Sequence, residues 1–382
     1  MMAKKKICFI TGTRADYGKM KPLMKILDDS SDFEVFIFVC GMHLSKIFGQ
    51  TYREILKDGY SNVHMAWGGG GGRSLDASMN LAGTIQYFSG YVENVDPDMI
   101  IVHGDRMDAL AGAIVGALHN VMVGHIEGGE VSGTLDESIR HAISKFAHVH
   151  FVCTEEARDR LIQLGEESAR IYVIGSPDID VMMRKDLPDM QEARARYDIF
   201  FDRYAILMYH PVTTEYKVLG DKIKAVVDAV IDSGKNFVVV YPNNDLGSEV
   251  ILHEYERFRG NKKFRVFPSI RFEHFLTLMK HADFMIGNSS AGVRETGVYG
   301  LPAIDIGTRQ HGRYNIEHMK NIIHVQDERD EILRAIEETK SHAIKVHQFG
   351  DGNSTKRFYE IMNRPALWAT EIQKHFIDLQ MY

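Results

Sequence analysis

Twelve short apolar runs, separated by longer stretches of helical periodicity, constrain this chain more than any other feature. The first half carries ICFIT (7–11), VFIFVC (35–40), MIIVH (99–103), VMVGHI (121–126), VHFVC (149–153) and IYVIG (171–175). The second half carries AILMY (205–209), FVVVY (237–241), FRVF (264–267), FMIG (284–287), AIDIG (303–307) and IIHV (322–325). Continuous apolar runs are strands buried on both faces, and helices between them make βαβ units around parallel sheets. A single twisted sheet of that many strands is disfavoured, and 382 residues suit two domains. The expected fold class is therefore α/β, with two Rossmann-like doubly wound domains facing a cleft. The polar, proline-containing stretch 182–200 sets the expected boundary: residues 1–185, then 186–360. A segment from 361 to 382 is expected to pack back on the first domain. The chain from Ser354 on has a helical pattern broken at Pro365.

Charge narrows the function classes. Forty-five basic against 52 acidic residues give a net charge of −7, and the basic residues are scattered, so no nucleic-acid partner is expected. No stretch reaches the roughly 20 apolar residues of a membrane span, and the start MMAKKKICFITG reads as a first strand rather than a signal peptide. Cys8, Cys40 and Cys153 lack metal-ligand spacing and sit in or beside apolar runs, as buried reduced thiols do. A cytoplasmic protein with no metal is expected. The one low-complexity patch, GGGGGR (68–73), reads as a loop, with a substrate-closing lid as the alternative.

The unusual polar residues follow the apolar runs. TGTRADYG follows the first, HGDR follows MIIV, HIEGGE follows VMVG, HPVTTE follows AILM, GNSSAG follows FMI, and GTRQ follows AIDI. Ligands of open parallel sheets bind outside the carboxyl ends of strands, so all six clusters would line a cleft between the domains. TGTRADYGK (11–19) is neither a P-loop nor a G-x-G-x-x-G dinucleotide fingerprint, so no NAD is expected. Its amides and Arg14 could meet an anion, although a plain turn with a surface arginine has the same pattern. In GNSSAGVRE (287–295), small residues, Ser289 and Ser290 suit a phosphate, and Glu295 suits a ribose diol; a simple helix cap reads similarly. Asp105 and Arg106 end one strand, where an acid is also a common helix cap. His210 ends another.

The segment HIEGGEVSGTLDESIRH (125–141) concentrates four acids. Thr134 and Glu137 fit a capping box, which leaves Asp136 one turn before Arg140 on the same helix face. Glu127, at a strand end, and Asp136 are then the candidates for chemistry, with Asp105 as a third. Glu130 reads as a loop or supporting residue.

Taken together, TGTRADYGK, VHGDR, the long 125–145 segment, HPVTTE, YPNND, GNSSAGVRE and GTRQ resemble the hydrolysing UDP-N-acetylglucosamine 2-epimerases of bacterial sialic acid biosynthesis. SPDIDVMM (176–183) looks like the same branch. The resemblance implies a glycosyltransferase-B-like fold and conversion of a UDP-sugar and water into N-acetylmannosamine and UDP. It implies catalytic roles for Asp105, Glu127, Asp136 and His210, and UDP contacts from Arg14, Ser289, Ser290 and Glu295. Asp16, Arg106, Glu130, Arg140 and Asn243 are expected in supporting positions. No cofactor is implied, and the family suggests a homodimer or homotetramer. GTRAD and LDESIR stand where non-hydrolysing relatives have GTRPE and P-E-E-x-N-R. HGR (311–313) departs from the family pattern. The alternatives are UDP-N,N′-diacetylbacillosamine as substrate, a UDP-sugar glycosyltransferase of the same fold, and a sugar-nucleotide sensor without turnover.

Overall fold

The computed structural model describes residues 4–66 and 77–378; the 68–73 patch lies outside them. All strand pairs are parallel, and they form two sheets. The first contains β1 (Lys5–Thr11), β2 (Phe33–Val39), β3 (Asn62–Met65), β4 (Met99–His103), β5 (Met122–Ile126), β6 (Val149–Val152) and β7 (Ile171–Val173). Its order is β3-β2-β1-β4-β5-β6-β7. The second contains β8 (Ala205–Met208), β9 (Phe237–Val240), β10 (Phe264–Phe267), β11 (Met285–Gly287), β12 (Ala303–Ile306) and β13 (Ile322–Val325), in the order β10-β9-β8-β11-β12-β13. Both reverse direction once, between β1 and β4 and between β8 and β11. These are the topological switch points at which doubly wound sheets bind ligands.

Each apolar run became a strand. The strand that the sequence hid is β3, NVHM, which is only partly buried because, among the described residues, it pairs with β2 alone at a sheet edge. Its residues lack the two-sided burial that makes a strand legible as an apolar run.

The chain divides into two compact units. One takes the residues up to Glu130, Asp136–Met183 and everything from Phe349; the other takes Val131–Leu135 and Arg184–Gln348. The expected second domain ran to 360, and here the structure differs: the helix Ser354–Met362 belongs to the first unit. The Asp180 carboxylate accepts the Ser354 and Thr355 amides at its N-terminus (2.9 and 2.6 Å). Phe358, fully buried, meets Phe151 of β6 edge-on with ring centroids 4.9 Å apart. Phe358, Ile361, Met362 and Leu367 complete the core formed by β1, β2 and the helix Arg14–Asp28. After a short helix, Pro365–Trp368, the described chain continues without helix, so the helical pattern beyond Pro365 is not realised. In the second unit, the helix Leu219–Asp232 and β8, β9 and β12 supply the core.

No helix among the described residues is long and apolar enough to cross a membrane. Cys8, Cys40 and Cys153 are buried and unbridged, and burial pushes the Cys8 and Cys40 thiols up, so both are protonated near neutral pH.

Candidate active site

In the first unit, the acids gather where β4 and β5 end. Glu127, just past β5, is buried and adopts a left-handed backbone (φ 63°). Its Oε1 lies 3.4 Å from Lys19 Nζ and 3.3 Å from His103 Nε2, and accepts the Ser176 hydroxyl at 3.1 Å. Asp105 pairs with Arg140, a residue only 1% exposed, whose other flank stands 4.0 Å from Glu130. The cap position of the following helix, Met107–Leu118, is Arg106, which makes no side-chain cap bond. Asp105 is thus committed to Arg140 and is not a helix cap. The helix carrying Arg140 runs Leu135–Phe146, so Thr134 stands at its cap position and Asp136, half-buried, in its first turn. Asp105 and Glu130 thus flank the buried Arg140 between strand ends.

His125, beneath them, is buried, and burial pushes it down to about 3, so it is neutral. Its Nε2 lies 2.8 Å from the Gly104 carbonyl and its Nδ1 3.0 Å from the Ser144 hydroxyl. A carbonyl only accepts, so Nε2 carries the proton and fixes the turn that presents Asp105.

The loop after β1 departs from expectation. Asp16 accepts the Gly12 and Thr13 amides (3.0 Å each) and the Thr11 hydroxyl (2.7 Å), while its own amide donates to Thr13 Oγ1. This is a capping box, and it occupies two of the amides read above as anion donors. Asp16 therefore holds the loop in shape. The Thr13-x-x-Asp16 spacing was the signal for it. Arg14 pairs with Glu54. Buried His43 bridges Thr11 and Thr51 and is pushed down to about 4 by burial.

In the second unit, the switch point joins His210 to the GNSS loop. Asn288, buried, accepts the His210 amide (2.6 Å) and donates to the His210 carbonyl (2.8 Å). The Asn243 amide donates to His210 Nδ1 at 2.9 Å, so Nε2 carries the proton in the neutral ring. Gly287 has φ 133°, and a Cβ there would stand 2.0 Å from the Met208 carbonyl oxygen, which makes glycine obligatory for this close approach. Ser289 caps the helix Ser290–Arg294, accepting the Ala291 amide, and Glu295 is buried just beyond it.

The GTRQ loop closes on the same point: Arg309 and Gln310 both donate to the Asn288 carbonyl (3.2 and 2.8 Å). Arg313, in the unassigned HGR, binds the Gln310 side chain and the Val131 carbonyl, and the Gly133 amide donates to Arg309 O. The departure thus tethers residues 131–133 to this unit. Beneath both loops, Glu215 accepts Thr308 and Lys222, and Lys222 and Tyr209 also bind Asp327.

The structure thus sets Glu127 beside Lys19, His103 and Ser176, pairs Asp105 with Arg140 and joins His210 to Asn288; of the residues gathered here, the sequence does not single out Lys19, His103, Ser176, Asp178 or Asn288. Lys19 lay inside a quoted motif, and Ser176 and Asp178 inside SPDID. Their partners are remote in sequence and left no local trace. Among the described residues, no cluster of His, Cys, Asp and Glu could hold a metal ion.

A family model for UDP-N-acetylglucosamine 2-epimerase matches residues 25–363. The UDP-N-acetylglucosamine 2-epimerase of Neisseria meningitidis is 46% identical over 383 residues, covering 99% of this chain and all of that protein. The hydrolysing UDP-N,N′-diacetylbacillosamine 2-epimerase of Legionella pneumophila is 32% identical, covering 97% of this chain and 98% of that one. A crystal structure of the Methanocaldococcus jannaschii UDP-GlcNAc 2-epimerase with UDP-GlcNAc and UDP superimposes with a TM-score of 0.80 at 20% identity, covering 94% and 99% of the two chains. The fold is therefore two parallel-sheet α/β domains of the glycosyltransferase-B-like kind. With the family model spanning most of its length, the chain belongs to the UDP-N-acetylglucosamine 2-epimerase family.

Proposed function

We propose that the chain is a hydrolysing UDP-N-acetylglucosamine 2-epimerase that converts UDP-GlcNAc and water into N-acetylmannosamine and UDP. The observation that carries this reading is the buried Glu127, flanked by Lys19 and His103, next to the Asp105–Arg140 pair. The GTRAD and LDESIR motifs support the hydrolysing branch, and the full-length relative at 46% identity supports UDP-GlcNAc over the diacetylated sugar of the relative at 32%.

Inversion at C2 requires removing a weakly acidic hydrogen. That becomes feasible as UDP leaves C1 and positive charge builds on the ring. An ionised carboxylate takes the proton, the C1–O bond breaks, and 2-acetamidoglucal and UDP result. Water then adds at C1 while a proton returns to C2 on the opposite face. Two proton transfers on two faces call for at least two acid/base groups, which we assign to Asp105, Glu127 and Asp136. His210, neutral with a proton on Nε2, would donate to the departing diphosphate, with Arg14, Ser289 and Ser290. Glu295 would accept the ribose hydroxyls. Asp16, Arg106, Glu130, Arg140 and Asn243 support the loops that carry these groups. No nicotinamide takes part in this scheme, since the hydrogen leaves and returns as a proton. We read the enzyme as a cytoplasmic homo-oligomer.

The test is incubation with UDP-GlcNAc in D₂O without an acceptor. Free UDP and N-acetylmannosamine carrying deuterium at C2 are expected. Unlabelled N-acetylglucosamine, or no UDP release, would sink the reading. Glu127→Gln should lower kcat by about 10²–10⁴-fold while UDP still binds. A variant with near-normal turnover removes Glu127 from the set. Relative rates on UDP-GlcNAc and UDP-N,N′-diacetylbacillosamine decide the substrate.

A further inference from the structure

The segment SPDID (176–180) has no role in the scheme above, yet it is built against both the acid cluster and the returning C-terminal chain. β7 ends at Val173, and Gly175 turns with φ 84°, its α-carbon so close to Ser354 that a Cβ would meet the hydroxyl at 2.8 Å. The Ser176 amide donates to the Phe349 carbonyl at 2.7 Å, and Pro177 starts the short helix Pro177–Met182. Asp180 then holds the Ser354 and Thr355 amides. One face of this helix is thus pinned to the C-terminal chain.

The other face turns to Glu127. Ser176 donates to Glu127 Oε1, and Asp178, with no exposed surface, puts Oδ2 3.3 Å from Lys19 Nζ. Lys19 in turn stands 3.4 Å from Glu127 Oε1. A single buried ammonium therefore sits at nearly equal distances from two buried carboxylates. Glu127 is also faced by His103 of β4, and it acts electrostatically on His125 of its own strand. A carboxylate with a close counter-ion all to itself is a weak base, whereas one that shares the counter-ion with a second acid keeps more of its basicity.

We propose that Asp178 is a positioning residue that divides the Lys19 ammonium between itself and Glu127, and so keeps Glu127 basic enough to take the C2 proton. This rests on the assignment of Glu127 to proton transfer. Asp178 acts through Lys19, and SPDID couples the docking of the C-terminal chain to the acid cluster.

The test uses the full-length Asp178→Asn protein and two readouts. One is the pH profile of kcat/KM for UDP release. The other needs no substrate: an infrared titration of the Glu127 carboxyl, identified as the band missing from Glu127→Gln. With Asp178 neutral, Lys19 no longer divides its charge between two carboxylates. The acidic limb and the infrared midpoint should both move down by about one pH unit, with kcat about tenfold lower. An unchanged midpoint overturns the proposal, even if the variant is less stable, because Asp178 is then only a brace. If the wild-type protein releases no UDP, the proposed function fails, while the infrared midpoints still decide the role of Asp178. Should Asp178→Asn not fold, Asp178→Ser removes the same charge with a smaller side chain. Its Glu127 midpoint must lie below the wild-type value; a midpoint at or above it overturns the proposal.

Discussion

Replacing Lys374 by methionine should destabilise the first unit measurably, although this residue lies in an irregular segment near the C-terminus. Its ammonium donates to the carbonyls of Ser144, Lys145 and Ala147 (3.2, 3.0 and 2.5 Å), at the end of the helix Leu135–Phe146 that carries Asp136 and Arg140. It also binds Glu166 Oε2 at 2.6 Å, while Lys145 holds the other oxygen at 2.7 Å and His150 Nε2 stands 3.1 Å away. Burial alone would raise the Glu166 carboxyl. The hydrogen bond and charge of His150, the Lys374 charge and the Lys145 hydrogen bond override it and hold Glu166 at about 2, from an ordinary 4.5. Lys374 is itself lowered, because burial and the like charges of Lys145 and Arg170 outweigh its one anion. The stabilisation thus resides mainly on the Glu166 side.

Breaking a buried pair costs about 3–5 kcal/mol. Lys145 remains on Glu166, and the Lys374 side chain is 22% exposed, so about half of that, roughly 2 kcal/mol, is expected here. Loss of a cation from the helix C-terminus adds about 0.5 kcal/mol. For a unit of this size, each kcal/mol moves Tm by about 2–4 °C, so Lys374→Met should melt about 5–10 °C lower. The pH dependence has a definite sign. A carboxylate whose folded pKa is depressed contributes stability above its unfolded value of 4.5 and loses it as pH falls toward about 2. Calorimetry should therefore show the full deficit at neutral pH, narrowing below about pH 4.5. A Tm within about 1 °C of wild type at neutral pH, or a deficit constant across the range, refutes the reasoning.

Two further outcomes test the buried polar groups and the switch point. Burial lowers His43 to about 4, His125 to about 3 and His148 to about 4, from 6.5 unfolded. The unfolded chain then binds more protons below 6.5, so stability falls with pH; at about pH 5 the three together should cost roughly 6 kcal/mol relative to neutral pH. Urea unfolding at the two pH values measures this, and a loss below about 2 kcal/mol contradicts it. Gly287→Ala would drive a Cβ into the Met208 carbonyl. It should cost about 1–3 kcal/mol and weaken UDP binding at least about tenfold by displacing Asn288 and Ser289. Calorimetry and UDP titration check both, and unchanged values for the two show that the close approach is dispensable.

Much of this protein is legible one segment at a time. Buried parallel strands need continuous apolar residues, so the twelve runs announced two α/β units. Loops at strand ends need glycine and polar residues, so Asp105, Glu127, His210 and the GNSS loop stood out. Local spacing likewise marks the helix start at Leu135, and the Thr13-x-x-Asp16 spacing carries the capping box. The tertiary structure alone decided the rest. It placed edge strand β3, assigned Val131–Leu135 to the second unit and returned the chain from Phe349 to the first. It gave Arg140 to Asp105 and Glu130, and Lys19 to Glu127 and Asp178. Lys19 and Glu127 are 108 positions apart, and Ser354 and Asp180 are 174 apart. Periodicity reports only which way a side chain faces within its own element. Which opposite charge it meets there is set by the order in which distant strands pair and by the packing of the whole core, neither of which any one segment records.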